Sequence, residues 1–295
     1  MSFSVVTVVH DSADDLERLL ASLGRFVHPL PQVIVVDSGS RDAGVDVART
    51  HGAEVVKLER NAGFGAGCNA GLELVTAPVV ALVNPDVELL DGRLVRLAER
   101  AAEREALLAP RLLNGDGSLQ DSAHPRPGTV EALLPALLPG AALPRPLRRR
   151  YEPWRSPAPR TVGWVIAAGL VARTEVLRRL GPFDRDAFLF YEDMDLCLRA
   201  AAAGIPTVLV PDVALRHRGG GSTRRAFGGE ALELRARRRR QVVARQGRRA
   251  LALDDAAQAL TFGTRAAGKR LLGRGGRRER EQLLALGAAR REGLF

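Results

Sequence analysis

The chain has 295 residues, 46% hydrophobic and 26% charged, enough apolar material for one large domain or two smaller ones with real cores. Two cysteines, Cys68 and Cys197, are too few for a disulfide framework and are not placed as a metal pair, so a reduced compartment is expected. The net charge of +10 is unevenly spread: from residue 221 onward there are 19 Lys and Arg against 7 Asp and Glu, whereas residues 1 to 220 carry −2.

A first strand by residue 3 leaves no room for the basic and apolar regions of a signal peptide, and no apolar run approaches the ~18 residues of a membrane span. The expectation is a chain neither exported by that route nor integral to a membrane. Residues 3–9 (FSVVTVV), 32–36 (QVIVV), 54–58 (EVVKL) and 78–83 (PVVALV) are near-continuous apolar runs, as expected of parallel strands covered on both faces. Helices belong between them. The first carries Ser12 with Asp15 three residues on, a capping-box pattern, then a Leu16, Leu19, Leu20, Leu23 stripe and Gly24 as a stop. This alternation predicts an α/β fold. Residues 124–160 hold nine of the 17 prolines and read as a connector without long regular elements. A strand-like run at 162–172, a helix near 174–180, the acidic stretch FLFYEDMDLCLR (188–199), a strand at 206–210 and an Arg-rich helical tail complete the order.

Ligands of open α/β sheets bind beyond the carboxyl ends of strands. Those ends give VVDSGSRD with Asp37 at its tip, RNAGFGAGCNAG at 60–71, and LVNPDVE with Asp86 and Glu88. Glycines 63, 65, 67 and 71 would let backbone approach a ligand, and Asp86 at a strand tip suits a cation bridging phosphates. A glycine-rich turn alone is a weak sign of phosphate binding, and an Asp at a strand end also serves as a helix cap. Gly65, Gly67 and Ala70, with Asp86 about 20 residues on, imitate a dinucleotide fingerprint. Against that, these glycines follow the third strand instead of opening the first strand–helix turn.

In this order and spacing, VVDSGSRD, NAGFGAGCNAG, VNPD, GPFDRDAFLFYEDMDLCLRAAAAG and PDVALRHRGGGS resemble the inverting family 2 glycosyltransferases, particularly the rhamnosyl- and galactofuranosyltransferase-like branch. The resemblance covers residues 3–225. It implies a GT-A-type fold, a mixed, mostly parallel sheet flanked by helices, here followed by an Arg-rich helical tail. Within it, residues 1–123 would be the nucleotide-sugar half, 124–160 the connector, 161–225 the acceptor and catalytic half, and 226–295 the tail. It further implies that Asp37 contacts the nucleoside base, that Asn61, Gly63 and Asn69 line the nucleotide and sugar region, and that Asp86 and His217 hold Mg2+ or Mn2+. Asp193 would be the catalytic base. The metal element begins with Asn84, assigned to the donor, where Asp is usual, and Val9-His10-Asp11 stands where Thr-Tyr-Asn is frequent, so donor contacts at Val9 and Asp11 would rely on backbone.

An inverting transfer needs one carboxylate to take the acceptor hydroxyl's proton. Asp193, beside aromatic side chains and another acid, is in a setting that favours a raised pKa. Glu192 is assigned to acceptor hydroxyls, and Asp195 to capping the helix that runs on through Leu196, Leu198 and Arg199. Trp164 is either a sugar-stacking acceptor platform or a core side chain. Glycines 219–221 and Ser222 form a loop able to close over bound diphosphate.

The expected enzyme is a cytoplasmic, metal-dependent inverting hexosyltransferase, a rhamnosyltransferase being one form. It would use a dTDP- or UDP-linked donor and a lipid-linked cell-envelope saccharide as acceptor. Its basic tail, with Arg237 to Arg240, would lie on an anionic membrane at the inner face. The alternatives are a nucleic-acid-binding protein, against which the tail's lack of interleaved aromatics argues, and a nicotinamide oxidoreductase resting on the fingerprint alone.

Overall fold

The apolar runs form strands, and their order explains where the strand ends meet. In the computed structural model, residues 2–130, 132–133, 144, 148, 152–181, 183–184, 187–219 and 231–292 are described. Two compact units divide the chain, Met1–Ala123 with Trp154–Ala226, and His124–Pro153 with Phe227–Phe295. Much of the proline-rich 124–160 segment lies outside the described residues.

The first unit is built on β1 (Ser4–Val9), β2 (Gln32–Ser38), β3 (Glu54–Leu58), β4 (Val79–Val83), β5 (Val87–Leu89), β6 (Leu107–Leu113), β7 (Arg160–Val162), β8 (Gly169–Arg173) and β9 (Thr207–His217). They make one sheet in the order β3-β2-β1-β4-β8-β6-β9-β5, with β7 also on β9. The pairs β1·β2, β2·β3, β1·β4 and β6·β9 are parallel; β8 runs antiparallel to both β4 and β6, and β9 to both β5 and β7. The helices are α1 (Ala13–Phe26), α2 (Gly44–Thr50), α3 (Phe64–Glu73), α4 (Arg93–Ala102), α5 (Thr174–Leu180) and α6 (Glu192–Ala202). The leucine stripe of α1 is buried, and with Val5, Val35, Val79, Val83, Leu94, Leu97 and Leu108 it forms the main core.

Several local expectations are corrected. The capping box of α1 does not close: Ser12 Oγ donates to the His10 carbonyl (2.8 Å), and the Ala13 N–H goes to Asp42 Oδ2 (2.7 Å), a carboxylate from beyond β2. The 162–172 run is broken at Gly163 and again at 166–168, where backbone leaves the ladder for the contacts described below. The strand at 206–210 continues through Pro211 to His217 by a register shift between Val210 and Ala214, the kind of irregularity that lets a strand accept proline. Pro110 likewise sits within β6, which sequence pattern did not mark as a strand.

The glycines of α3 also have another purpose. A Cβ on Gly67 would lie 2.5 Å from Val8 Cγ1 and one on Gly71 2.4 Å from Val6 Cγ1, so these two allow the helix to lie directly on β1 instead of admitting a ligand.

The second unit contains α7 (Leu232–Ala244), α8 (Arg248–Leu271) and α9 (Arg277–Arg291), packed on one another around Val242, Val243, Leu251, Ala257, Ala285, Leu286 and Ala289. The four-arginine run is not a free charged face. Arg239 makes two hydrogen bonds to the buried Asp254 (2.7 and 2.8 Å), and buried Arg240 pairs with Asp255 (3.0 Å) and donates to the Ala289 carbonyl (2.6 Å). Removing one partner of such a buried pair costs about 3–5 kcal/mol, so these two arginines hold the helices together. Among the described residues, no helix is long and apolar enough to cross a membrane.

Candidate active site

The parallel register sets Val9 opposite Asp37 at the ends of β1 and β2. Val9 is buried, and Asp37, also buried, accepts the Ser40 N–H (2.9 Å). Asp11 adopts a left-handed conformation (φ 47°) and accepts the Arg41 N–H at 2.7 Å. That bond lowers its pKa, partly opposed by burial and helped by the charges of His10 and Arg41. The glycine loop is tied to this edge. Asn61 Oδ1 accepts the Gly63 N–H (3.1 Å), and Ser38 Oγ accepts the Ala62 N–H (2.9 Å). Asn69 is committed elsewhere: both ends of its buried amide bond the backbone of Phe183, at 2.9 and 2.8 Å. Its amide therefore fastens α3 to the segment leading into the acidic stretch.

The antiparallel pairing of β9 with β5 sets His217 opposite Val87, beside Asp86. His217 Nε2 lies 3.2 Å from Asp86 Oδ1 and 3.5 Å from Asn84 Nδ2. Burial pushes the Asp86 carboxyl up, but the hydrogen bond and charge of His217, with backbone N–H groups of Asp86 and Gly219, outweigh it and leave the pKa lowered. Among the described residues, Asn84 Oδ1 is buried without a hydrogen-bond partner. Such an atom costs free energy unless something accepts its lone pairs, and it sits with one carboxylate and one imidazole. Among the described residues there is no group of three or more His, Cys, Asp and Glu able to hold a metal. Asp86, His217 and the Asn84 amide oxygen, hard oxygens with one nitrogen, are donors of a kind that would fit Mg2+ or Mn2+. Of the glycine loop beyond His217, residues 220–222 lie outside the described residues.

The acidic stretch starts from a strained turn. Phe190 (φ 75°) and Tyr191 (φ 63°) are both left-handed, each at a cost of about 1–3 kcal/mol, and α6 begins directly after them. Asp195 does not cap this helix: the N-cap is Tyr191, and Asp195 pairs with Arg199 one turn on (2.8 Å). Glu192 is buried, and Asp193 is partly exposed. Asp193 accepts the Ala167 N–H on Oδ2 (3.2 Å) and the Met194 N–H on Oδ1 (2.7 Å), which fixes its carboxylate plane. Trp164 is buried and meets the Tyr191 ring edge-on, centroids 6.1 Å apart. Gly63 is left-handed (φ 85°), and a Cβ there would lie 1.8 Å from the Phe188 carbonyl oxygen, so the glycine loop and the acidic stretch press backbone to backbone.

One dipeptide joins the two sets of acids. The Ala167 N–H donates to Asp193, and the next residue's carbonyl, Ala168, accepts the Asn84 N–H (3.1 Å). Asp193 and the Asn84-Asp86-His217 group are therefore fastened to two adjacent residues, Ala167 and Ala168. The cysteines take no part: both are buried thiols pushed up by burial, Cys197 to about 12.

Residues 4–164 match the family model described as glycosyl transferase family 2. The chain belongs to that family. It is 31% identical over 239 residues to the N-acetylglucosaminyl-diphospho-decaprenol L-rhamnosyltransferase of Mycobacterium tuberculosis, covering 75% of this chain and 77% of the relative. Among solved structures, a mannosyltransferase from Pyrobaculum calidifontis in complex with GDP-Man and Mn2+ superposes with a TM-score of 0.60 at 17% identity, over 98% of this chain and 86% of that one. S. aureus TarS 1-349 in complex with UDP-GlcNAc gives 0.57 at 18% identity, over 98% and 80%. These structural likenesses bear on the fold, which is of the GT-A type.

For a family 2 glycosyltransferase, the nicotinamide and nucleic-acid alternatives are not needed to account for the α/β unit. Sequence reading missed two parts of the site. The Ala167–Ala168 link acts through backbone and carries no side-chain signal. Gln120, against the ring of His217, lies in a turn sequence with no motif around it.

Proposed function

We propose that this family 2 glycosyltransferase moves a hexosyl group, rhamnosyl in the form suggested by the mycobacterial relative, from a dTDP- or UDP-linked donor to a hydroxyl of a lipid-linked cell-envelope saccharide, with inversion. The observation that carries this is the pair of adjacent residues, Ala167 and Ala168, that fastens Asp193 to the Asn84-Asp86-His217 group. The acceptor oxygen bonds to the anomeric carbon as the bond from that carbon to the diphosphate oxygen breaks, and Asp193 takes the hydroxyl proton. Asp86, His217 and Asn84 would hold Mg2+ or Mn2+, which when bound supplies positive charge against the leaving diphosphate. Asp37, Asn61 and the Val9–Asp11 backbone are assigned to the nucleoside side, Gly63 to the sugar side, and Glu192 with Trp164 to the acceptor. Asn69 supports this arrangement through Phe183.

Thermal unfolding with a panel of nucleotides tests the donor class. UDP or dTDP with Mn2+ should raise the midpoint, by an amount equivalent to about 2.7 kcal/mol at 100 times Kd, and dinucleotides should not. Stabilisation by NAD or NADP alone, or by no nucleotide with Mn2+, would contradict the reading.

A lipid-linked acceptor calls for attachment at the cytoplasmic membrane face, and the helical unit suggests where. Arg239 and Arg240 are withdrawn into ion pairs, but Leu271 and Leu272 at the end of α8 are 87% and 70% exposed, between exposed Arg270 and Arg274. Each arginine near an anionic leaflet contributes about 1 kcal/mol, and the two leucines add apolar contact. The chain should cosediment with anionic but not neutral vesicles, release at high salt, and lose binding on joint substitution of Leu271→Ser and Leu272→Ser. Binding indifferent to lipid charge, or unchanged in that variant, would contradict attachment at this turn.

A further inference from the structure

The amide of Gln120 is placed so that its orientation is determined by its surroundings. After β6 the chain turns at Asn114–Ser118 and doubles back, the Gln120 N–H bonding the Leu112 carbonyl (2.9 Å). Since β6 lies beside β9 with Leu113 opposite Arg216, this return brings the side chain to His217. Its Nε2 faces two acceptors, Asn114 Oδ1 (3.1 Å) and the His217 carbonyl (3.5 Å), and Asn114 is itself held by donating to Ser118 Oγ (2.8 Å). An amide nitrogen can only donate, so Oε1 points the other way, to His217 Nδ1 at 2.8 Å. An amide oxygen can only accept, and so Nδ1 must carry a proton.

We propose that Gln120 is a positioning residue that keeps a proton on His217 Nδ1, so that Nε2, which faces Asp86 and Asn84, is the ring nitrogen free to give up its proton and coordinate. It rests on the reading of Asp86 and His217 as cation holders. A neutral imidazole released from Gln120 favours a proton on Nε2, which would occupy the one ring position able to coordinate. Residues that orient a ligating histidine through its other nitrogen are typically worth about 10- to 100-fold in metal affinity. Asn114 and Ser118 extend the support by one further link.

The test uses the full chain in two measurements. Long-range 1H–15N correlation spectra of the metal-free protein, with His217→Gln for assignment, should show a proton on His217 Nδ1. Gln120→Leu should shift it toward Nε2–H. Titration of Mn2+ in the presence of UDP, followed by the paramagnetic resonance of free Mn2+, should show affinity falling about 10- to 100-fold in Gln120→Leu. Gln120→Glu, which keeps an acceptor oxygen at the ring, should restore most of it. A ring without a proton on Nδ1 in the unaltered protein, or unchanged Mn2+ affinity in Gln120→Leu, overturns the proposal. If Asp86→Ala leaves Mn2+ affinity unchanged, the cation site itself is wrong; the tautomer spectrum still decides independently whether Gln120 sets the ring.

Discussion

Asp193→Asn is expected to preserve the fold and donor binding and to lower turnover by about 10²- to 10⁴-fold, the range for loss of a general base. The substitution is nearly isosteric. An asparagine oxygen still accepts the Ala167 N–H, so the link through Ala167 and Ala168 to Asn84 survives. What is lost is a group that takes a proton as the acceptor oxygen bonds to the anomeric carbon. Turnover and donor affinity measured on the same preparation check this, and near-normal activity would remove Asp193 from the role. Glu192→Gln should instead raise the acceptor KM and leave kcat closer to normal, because its assigned role is holding acceptor hydroxyls.

Asp86→Ala and His217→Ala should each weaken Mn2+-dependent binding of nucleoside diphosphate, and the double variant should cost much less than the two losses summed. Residues sharing one ligand typically show coupling of about 0.5–3 kcal/mol. Here they already touch, at 3.2 Å, with the buried Asn84 oxygen beside them. Calorimetric titration of UDP with and without a chelator is the measurement. Additive losses, or binding indifferent to the chelator, would count against a shared cation.

The parallel strands were legible because strands covered on both faces need near-continuous apolar runs, and β1, β2 and β4 have them, whereas β3 at the sheet edge, EVVKL, is only partly covered. Asp86 and His217 were legible as polar residues where such strands end, although only the β5–β9 pairing brings them together. The glycines of α3 misled because a chain needs glycine both where backbone meets a ligand and where a helix lies on a sheet; only the positions of Val6 and Val8 tell which. Prolines 110 and 211 hid strand in β6 and β9, since a bulge or altered register that accommodates proline has no mark in one sequence. Asp195 and Asp42 show the same gap for acids: Arg199 takes the carboxylate expected to cap α6, and a residue 29 positions away takes the N–H that opens α1. The Arg237–Arg240 run looked like a surface because Asp254 and Asp255 lie 15 residues further on, and only the folded helices pair them.

The most direct test of the account is the anomeric configuration of the product. Protein incubated with dTDP-rhamnose of known anomeric form, a prenyl-diphosphate N-acetylglucosamine acceptor and Mn2+ should yield a glycoside whose one-bond C1–H1 coupling reports inversion, and Asp193→Asn should make little of it. A glycoside that retains the donor's configuration, or one formed equally well by Asp193→Asn, would contradict a single displacement with Asp193 as base.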